Sequence, residues 1–174
     1  RAFDQVAANR GAPLEANLKK VAELRQKPLA IARQLVRLAG LLHDIGHSCF
    51  SHAAETVIHD GIGHEGFTFK LVEETEFLGG LLDKLYFVGF ASLLGKVLRG
   101  GPVMPPQLKV LKDLVSGEMD ADRSDYLLRD SHHCGVEYGR FDHRRMIQCL
   151  DLNEADGGVL ESACTETGFT PSRH

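Results

Sequence analysis

The sequence has no tryptophan, only four cysteines, and no surplus of positive charge. A formal net charge of −4 withholds the broad basic surface that general nucleic-acid binding uses, although local clusters can still meet phosphate. Without Trp the usual stacking platform for single strands is also thin, so nucleic acid is not expected as the main partner. No apolar run approaches the roughly 20 residues that span a bilayer, which removes a membrane from the expected partners. Cys49, Cys134, Cys149 and Cys164 are widely spaced and contain no CxxC pair. They therefore form neither a thiolate zinc knuckle nor a disulfide framework, and a reducing cytoplasm fits them best. The opening Arg1-Ala2-Phe3-Asp4 is neither a signal peptide nor a natural initiator, and the chain reads as a piece of something longer.

What remains is a globular composition, 43% hydrophobic and 25% charged over 174 residues, enough for one compact domain with a proper core. Most of it reads as helix. Phe3 to Asn9 looks like the tail of a helix. Residues 11–27, rich in Ala, Lys and Glu with weak apolar periodicity, read as an inserted linker or mobile helix, with a solvated spacer favoured. Pro28 suits a first helical turn, and residues 28–42 continue it with apolar residues most of the way round, as in a buried helix. Further helices are expected over 67–76, 77–99, 105–116, 119–130 and 141–148, broken by Gly100-Gly101-Pro102, Pro105-Pro106 and the loop around Gly135 and Gly139. Residues 149–161, with Asp156-Gly157-Gly158 at their centre, predict a hairpin.

Five of the nine histidines fall between residues 43 and 64. The run is His43-Asp44-Ile45-Gly46-His47-Ser48-Cys49-Phe50-Ser51-His52-Ala53-Ala54-Glu55, followed by His64-Glu65. Imidazole and carboxylate together hold metals and move protons near neutral pH, and a solvated surface rarely gathers so many beside an apolar helix. His59 and His174 read as ordinary surface or capped histidines. Gly46 is expected to permit a sharp change of direction, and Ser51 to cap a short helix on which His52 and Glu55, at i and i+3, share a face.

The second informative segment runs from Met119 to Asp130. On a helix Asp122, Tyr126, Arg129 and Asp130 form one stripe, carrying two anions, a cation and a phenol. By composition alone, a surface laced with salt bridges explains this as well as a site does. The histidines before it and His132-His133 after it shift the balance toward a site, because a divalent metal takes nitrogen and oxygen donors from separate helices.

The extended pattern from His43 to Glu55, joined by His64-Glu65 and by Asp120 to Asp130 in that order, resembles the HD-domain metal-dependent phosphohydrolases. More narrowly it is similar to the deoxynucleoside triphosphate triphosphohydrolase branch, which includes bacterial dGTPases and the animal SAM-and-HD-domain dNTPase. The resemblance covers residues 28–150 and implies an all-α, HD-domain helical bundle with a small β-hairpin near the C-terminal end. It divides the chain into an HD domain over 1–150 and a hairpin and tail over 151–174. It also implies a divalent metal (Mn, Mg, Fe, Co, Ni or Zn) on two His and two Asp. His43 and Asp44 match the central pair and Asp122 the last Asp. The family's first histidine, in an R-x-x-H-S type motif, has no match here, which places it before Arg1, with Asp4 as the weaker replacement.

By the same resemblance His52 and Glu55 match the pair that transfers protons, and His47 and His64 match histidines that face the triphosphate. Arg123 matches a cation set against phosphate, while Tyr126 and Asp130 match residues that contact the sugar. Ser48-Cys49 departs from the commoner Gly-Pro or Pro-Pro, which alters loop stiffness rather than chemistry. The implied partners are a deoxynucleoside triphosphate or related nucleotide and further copies of the chain in a homo-oligomer. Two alternatives stay open: an HD phosphohydrolase acting on another nucleotide phosphoester, and a catalytically silent nucleotide-sensing module, which the unmatched fourth ligand motivates.

Overall fold

In the computed structural model the described residues are 1–58, 62–155 and 159–164. His59, His174 and the expected turn Asp156-Gly157-Gly158 lie outside them. The chain folds as two units, Arg1–Val36 with Pro106 onward, and Arg37–Pro105.

In the first unit, α1 (Ala2–Leu18) runs well past Asn9. It kinks at Arg10, which has φ −132° and ψ 35°. Pro13 accounts for the kink, because its ring removes the N–H that would bond the carbonyl of Asn9 and crowds that same carbonyl. Residues 11–27 are therefore not a solvated spacer. Leu14, Leu18, Val21 and Leu24 are buried, and Asn17 donates from Nδ2 to the Gln107 carbonyl at 2.9 Å. Each buried leucine contributes about 1.5–3 kcal/mol. The weak periodicity that suggested a spacer arises because these four residues are shared between a helix and a following 3₁₀ turn at Ala22–Leu24.

α2 (Pro28–Leu42) begins at Pro28 as expected. Its burial is one-sided rather than all-round: Ala32, Leu35 and Ala39 are buried, whereas Leu41 is 74% exposed. After a 3₁₀ turn at Pro106–Leu108 come α7 (Lys109–Val115), α8 (Ala121–Cys134) and α9 (His143–Cys149). Asp120 starts α8 by accepting the Arg123 amide at 2.6 Å, and Asp142 starts α9 by accepting that of Arg145 at 2.9 Å. Gly135, at φ +68°, ends α8.

The expected hairpin is present as β1 (Leu150–Ala155) and β2 (Val159–Cys164), antiparallel, with Leu150 opposite Cys164 and Ala155 opposite Val159. It packs against α1 and α7. Asn9 donates to the Leu150 carbonyl at 3.0 Å, and Arg10 grips Asp151 with two hydrogen bonds of 2.7 and 3.1 Å. The guanidinium holds the Asp151 carboxyl below its ordinary range. The described residues are thus predominantly helical, with this one two-stranded sheet among them.

In the second unit, α3 (His52–Ile58) packs on α4 (Gly63–Glu74), and α4 packs on α6 (Phe90–Arg99) around Val72, Phe90, Leu93, Leu94 and Val97. The single helix expected over 77–99 is broken into a π-turn at Glu76–Gly80, α5 (Leu81–Leu85) and α6. Gly89 takes φ +96°, and the Asp83 carboxylate accepts the amides of Gly89 and Ala91 at 2.9 and 2.8 Å. That cap starts a new helix in place of continuing the old one. No single helix among the described residues is long and apolar enough to cross a membrane.

Candidate functional site

α2 ends at Leu42 and hands the chain to a turn holding His43 and Asp44. The turn is clamped by Thr68 of α4, whose hydroxyl donates to the His43 carbonyl at 2.8 Å and accepts the Gly46 amide at 3.0 Å. A Cβ on Gly46 would lie 2.1 Å from the His64 carbonyl oxygen and 2.4 Å from the Thr68 nitrogen. Gly46 is therefore required for close backbone approach, not for the change of direction read from the sequence. This contact brings the start of α4, with His64 in its first turn, against the HD turn.

The chain between the turn and α3 passes through Phe50 at φ +70° and Ser51 at φ +49°. Left-handed backbone costs non-glycine residues roughly 1–2 kcal/mol each and persists where the surroundings over-determine it. Ser51 lacks the extended backbone usual for a helix N-cap, and its Oγ lies 3.3 Å from His47 Nδ1. Phe50, 84% exposed, faces outward.

Four of the residues singled out in the sequence meet within the second unit. Glu55 Oε1 is 2.6 Å from His64 Nδ1 and 2.9 Å from His52 Nδ1. The His47 and His64 rings stack with centroids 3.8 Å apart and planes 13° from parallel, and the His52 ring stands edge-on to both at 4.9 and 5.0 Å. The hydrogen bond from His64 holds the Glu55 carboxyl below its ordinary value against the cost of desolvation, and the His52 bond adds a smaller push in the same direction. Burial, and then the neighbouring His64, push His47 below the ordinary histidine value, so that ring favours its neutral form. The result is one anionic acceptor holding two imidazoles by the same ring atom, beside a third ring that burial biases toward its neutral form.

Two sets of donors in this unit could hold a metal. His43 Nε2 and Asp44 Oδ2 lie 3.4 Å apart, and two neighbouring ligands about 2.1 Å from one ion are separated by about 3–3.4 Å, so this pair fits a divalent cation. His47, His52, Glu55 and His64 also offer donor atoms within 4.8 Å of one another. Asp44 spans both groups, since its Oδ1 is 3.7 Å from His47 Nε2.

Asp122, Arg123, Tyr126 and Asp130 are on α8 in the first unit, as the periodicity predicts. Asp122 is in the first turn and partly buried, while Arg123, Tyr126 and Asp130 are exposed. Arg123 Nη1 donates to the Glu118 carbonyl at 3.2 Å. Arg129 hydrogen-bonds Asp125, so the cation of the expected stripe is drawn toward the neighbouring face.

Thr68 and Ser51 in its histidine-facing role are missing from the sequence reading. Thr68 leaves a faint signal, a polar residue four before the buried Val72 on α4. Ser51 leaves none beyond its place in the motif, because its role depends on left-handed backbone.

With this geometry in hand, likeness to known proteins is informative. An HD domain pattern matches residues 16–128. The uncharacterized protein YwfO of Bacillus subtilis is 35% identical over 130 residues, covering 75% of this chain and 28% of that protein. The deoxynucleoside triphosphate triphosphohydrolase SAMHD1 of Gallus gallus is 29% identical, covering 75% and 26%. Among solved structures, a phosphohydrolase from Bacteroides thetaiotaomicron superposes with a TM-score of 0.61 at 32% identity, covering 89% of this chain and 35% of that one. A hypothetical protein from Aquifex aeolicus gives 0.64 at 34%, covering 89% and 38%. The chain spans about a quarter to a third of the length of the curated relatives it matches. The match over residues 16–128, carrying the His43-Asp44 pair and the histidine cluster behind it, shows that the chain belongs to the HD domain family.

Proposed function

We propose that this chain carries the catalytic core of a metal-dependent HD phosphohydrolase that converts deoxynucleoside triphosphates to deoxynucleoside and inorganic triphosphate. The observation that carries the reading is the Glu55 carboxylate shared by His52 and His64 at 2.9 and 2.6 Å, an acid–base arrangement beside the HD pair. The choice of substrate is supported by the likeness to triphosphohydrolases of Gallus gallus and Dictyostelium discoideum.

His43, Asp44 and Asp122 are the proposed metal ligands, with Asp122 resting on the family pattern. A divalent cation (Mn, Mg, Fe, Co, Ni or Zn) supplies Lewis-acid polarisation of a phosphoryl oxygen when bound. The chain's own side chains do the rest. Glu55, held anionic, accepts the Nδ1–H of His52 and so leaves Nε2 as the atom that exchanges a proton. The His52 side chain is 71% exposed and so open to a substrate, and we assign it the general-acid role toward the leaving sugar oxygen. His64, held by the same carboxylate, and His47, neutral and stacked on it, face the polyphosphate. Arg123 supplies fixed positive charge to the phosphates, and Tyr126 and Asp130 bind the sugar, Asp130 accepting its 3′-hydroxyl. Phosphoryl transfer asks mainly for such positioning and charge.

The domain division at residue 150, a homo-oligomeric assembly and a cytoplasmic location belong to the same proposal. An HD phosphohydrolase acting on another nucleotide phosphoester is the second reading, motivated by the uncharacterized relatives at 35% identity. Incubation with each dNTP and Mn²⁺, Mg²⁺ or Co²⁺, resolving deoxynucleoside from dNMP, separates the two. Deoxynucleoside supports the proposal, while no turnover of any dNTP by metal-loaded protein moves the assignment to the second reading.

A further inference from the structure

Residues four apart share a face across the π-turn Glu76–Gly80 and α5, because four residues close almost one turn of either helix. Phe77, Leu81 and Leu85 therefore form one row, and they are 87%, 45% and 66% exposed. Single exposed apolar residues are ordinary, whereas a row of three makes the kind of contiguous patch that marks an interaction surface. The row beside it is Glu76, Gly80 and Lys84, all exposed, with an acid at one end, a base at the other and no side chain between. Among the described residues neither Glu76 nor Lys84 has an ion-pair partner, and about 12 Å of helix separates the two. Gly80 is not demanded by the fold. Its backbone is ordinary right-handed helix at φ −64° and ψ −35°, and a Cβ there would meet Glu76 Cγ at 3.6 Å, an ordinary contact. Gly79 differs, since a Cβ on it would lie 2.8 Å from the Val72 carbonyl oxygen. Glycine inside a helix is disfavoured relative to alanine, and close approach by a second backbone is the use that a missing Cβ at position 80 serves.

We propose that this face pairs with the same face of a second copy of the chain, two-fold and antiparallel, crossing at Gly80. In such an isologous pair one surface meets itself, so it must be its own complement. Reversing direction about Gly80 sets Glu76 of each copy against Lys84 of the other, which makes the row self-complementary in charge. The ridge of Phe77, Leu81 and Leu85 from one copy then fills the groove that Gly80 leaves in the other, the packing of i±4 ridges into grooves. A lipid surface would cover the ridge but leave both charges without partners. The ten residues Glu76–Leu85 span only about 15 Å of helix and bury less than the roughly 800 Å² per partner of a standard interface, so the dimer is weak and concentration-dependent. The inference rests on the homo-oligomeric reading and gives it a surface; it is independent of metal and substrate.

Sedimentation velocity of the 174-residue chain from about 5 to about 200 μM tests it. The wild-type chain is expected to shift from monomer to dimer across that range. Leu81→Glu should raise the dimer dissociation constant more than about tenfold. Gly80→Ala should do the same while raising the melting temperature of the dilute chain by about 2 °C, which separates a lost interface from a damaged fold. Glu76→Lys and Lys84→Glu should each weaken the dimer about fivefold, and the double variant carrying both should return to within about twofold of wild type. A wild-type chain that stays monomeric to about 200 μM overturns the pairing, and if it also co-sediments with vesicles of phosphatidylcholine and phosphatidylserine, the face belongs to a membrane. A dimer that all four substitutions leave intact keeps the homo-oligomeric reading and overturns this surface. A double variant no tighter than the single ones overturns the antiparallel pairing, which requires the rescue.

Discussion

Glu55 Oε1 accepts from His64 Nδ1 at 2.6 Å, linking a carboxylate on α3 to an imidazole in the first turn of α4. Because the same oxygen also meets His52 at 2.9 Å, one carboxylate sets the orientation of two rings. Replacing Glu55 with Gln removes the anion but keeps the shape. The expected outcome is a fall in kcat of about 100-fold, measured in steady state, with little change in secondary structure.

The same substitution has a pH signature. The Glu55 carboxyl titrates below its ordinary 4.5 in the folded chain, so its stabilising contribution is fully present above about pH 4.5 and lost as pH falls through the folded value. The melting temperature of wild type minus Glu55→Gln should therefore shrink as pH is lowered from 6 to about 3. A difference that holds constant over that range contradicts the shared-carboxylate geometry.

The clamp between Gly46 and Thr68 predicts two stability losses. A Cβ on Gly46 meets backbone atoms of His64 and Thr68 that cannot swing aside, so Gly46→Ala should cost roughly 3 kcal/mol. Thr68→Val keeps the shape but leaves the Gly46 amide without its acceptor, at a cost of about 1–3 kcal/mol. Chemical denaturation of both variants checks this, and wild-type midpoints would show that the clamp is not holding the turn.

Leu14→Ala tests whether residues 11–27 belong to the core. With Leu14 fully buried the expected loss is about 2–5 kcal/mol, whereas an inserted spacer would lose almost nothing.

Much of this architecture was legible in the sequence, for local reasons. Pro28 marks a helix start by its own chemistry, and Gly135 marks the loop that follows α8. The hairpin is announced by its glycines between apolar strands. Three features were not legible because they are made by distant residues. Leu14, Leu18, Val21 and Leu24 look unpatterned until the kink at Arg10 and the 3₁₀ turn place them together. The break at Gly89 depends on a carboxylate six residues earlier, and leucines and phenylalanines on both sides conceal it. In the site, His52 and Glu55 announce a pair by their i, i+3 spacing, but the addition of His64 depends on α4 packing against α3. Motif spacing gave the identities of the histidines; the packing that Gly46 permits gave their geometry.

Metal retention separates the proposed ligands His43, Asp44 and Asp122 from the cluster around Glu55. Asp44→Ala and Asp122→Ala should each weaken Mn²⁺ or Co²⁺ binding by more than about tenfold, read by metal analysis after gel filtration, while Glu55→Gln should retain the ion. Full metal content in Asp122→Ala removes that residue from the ligand set.

The most direct test of the central claim is to hydrolyse a dNTP with Mn²⁺ in ¹⁸O-labelled water and locate the label. The account predicts unlabelled deoxynucleoside together with triphosphate carrying one ¹⁸O, and a loss of both products of at least about 100-fold in His52→Ala. Label in orthophosphate or in a nucleoside monophosphate, or undiminished turnover by His52→Ala, would contradict it.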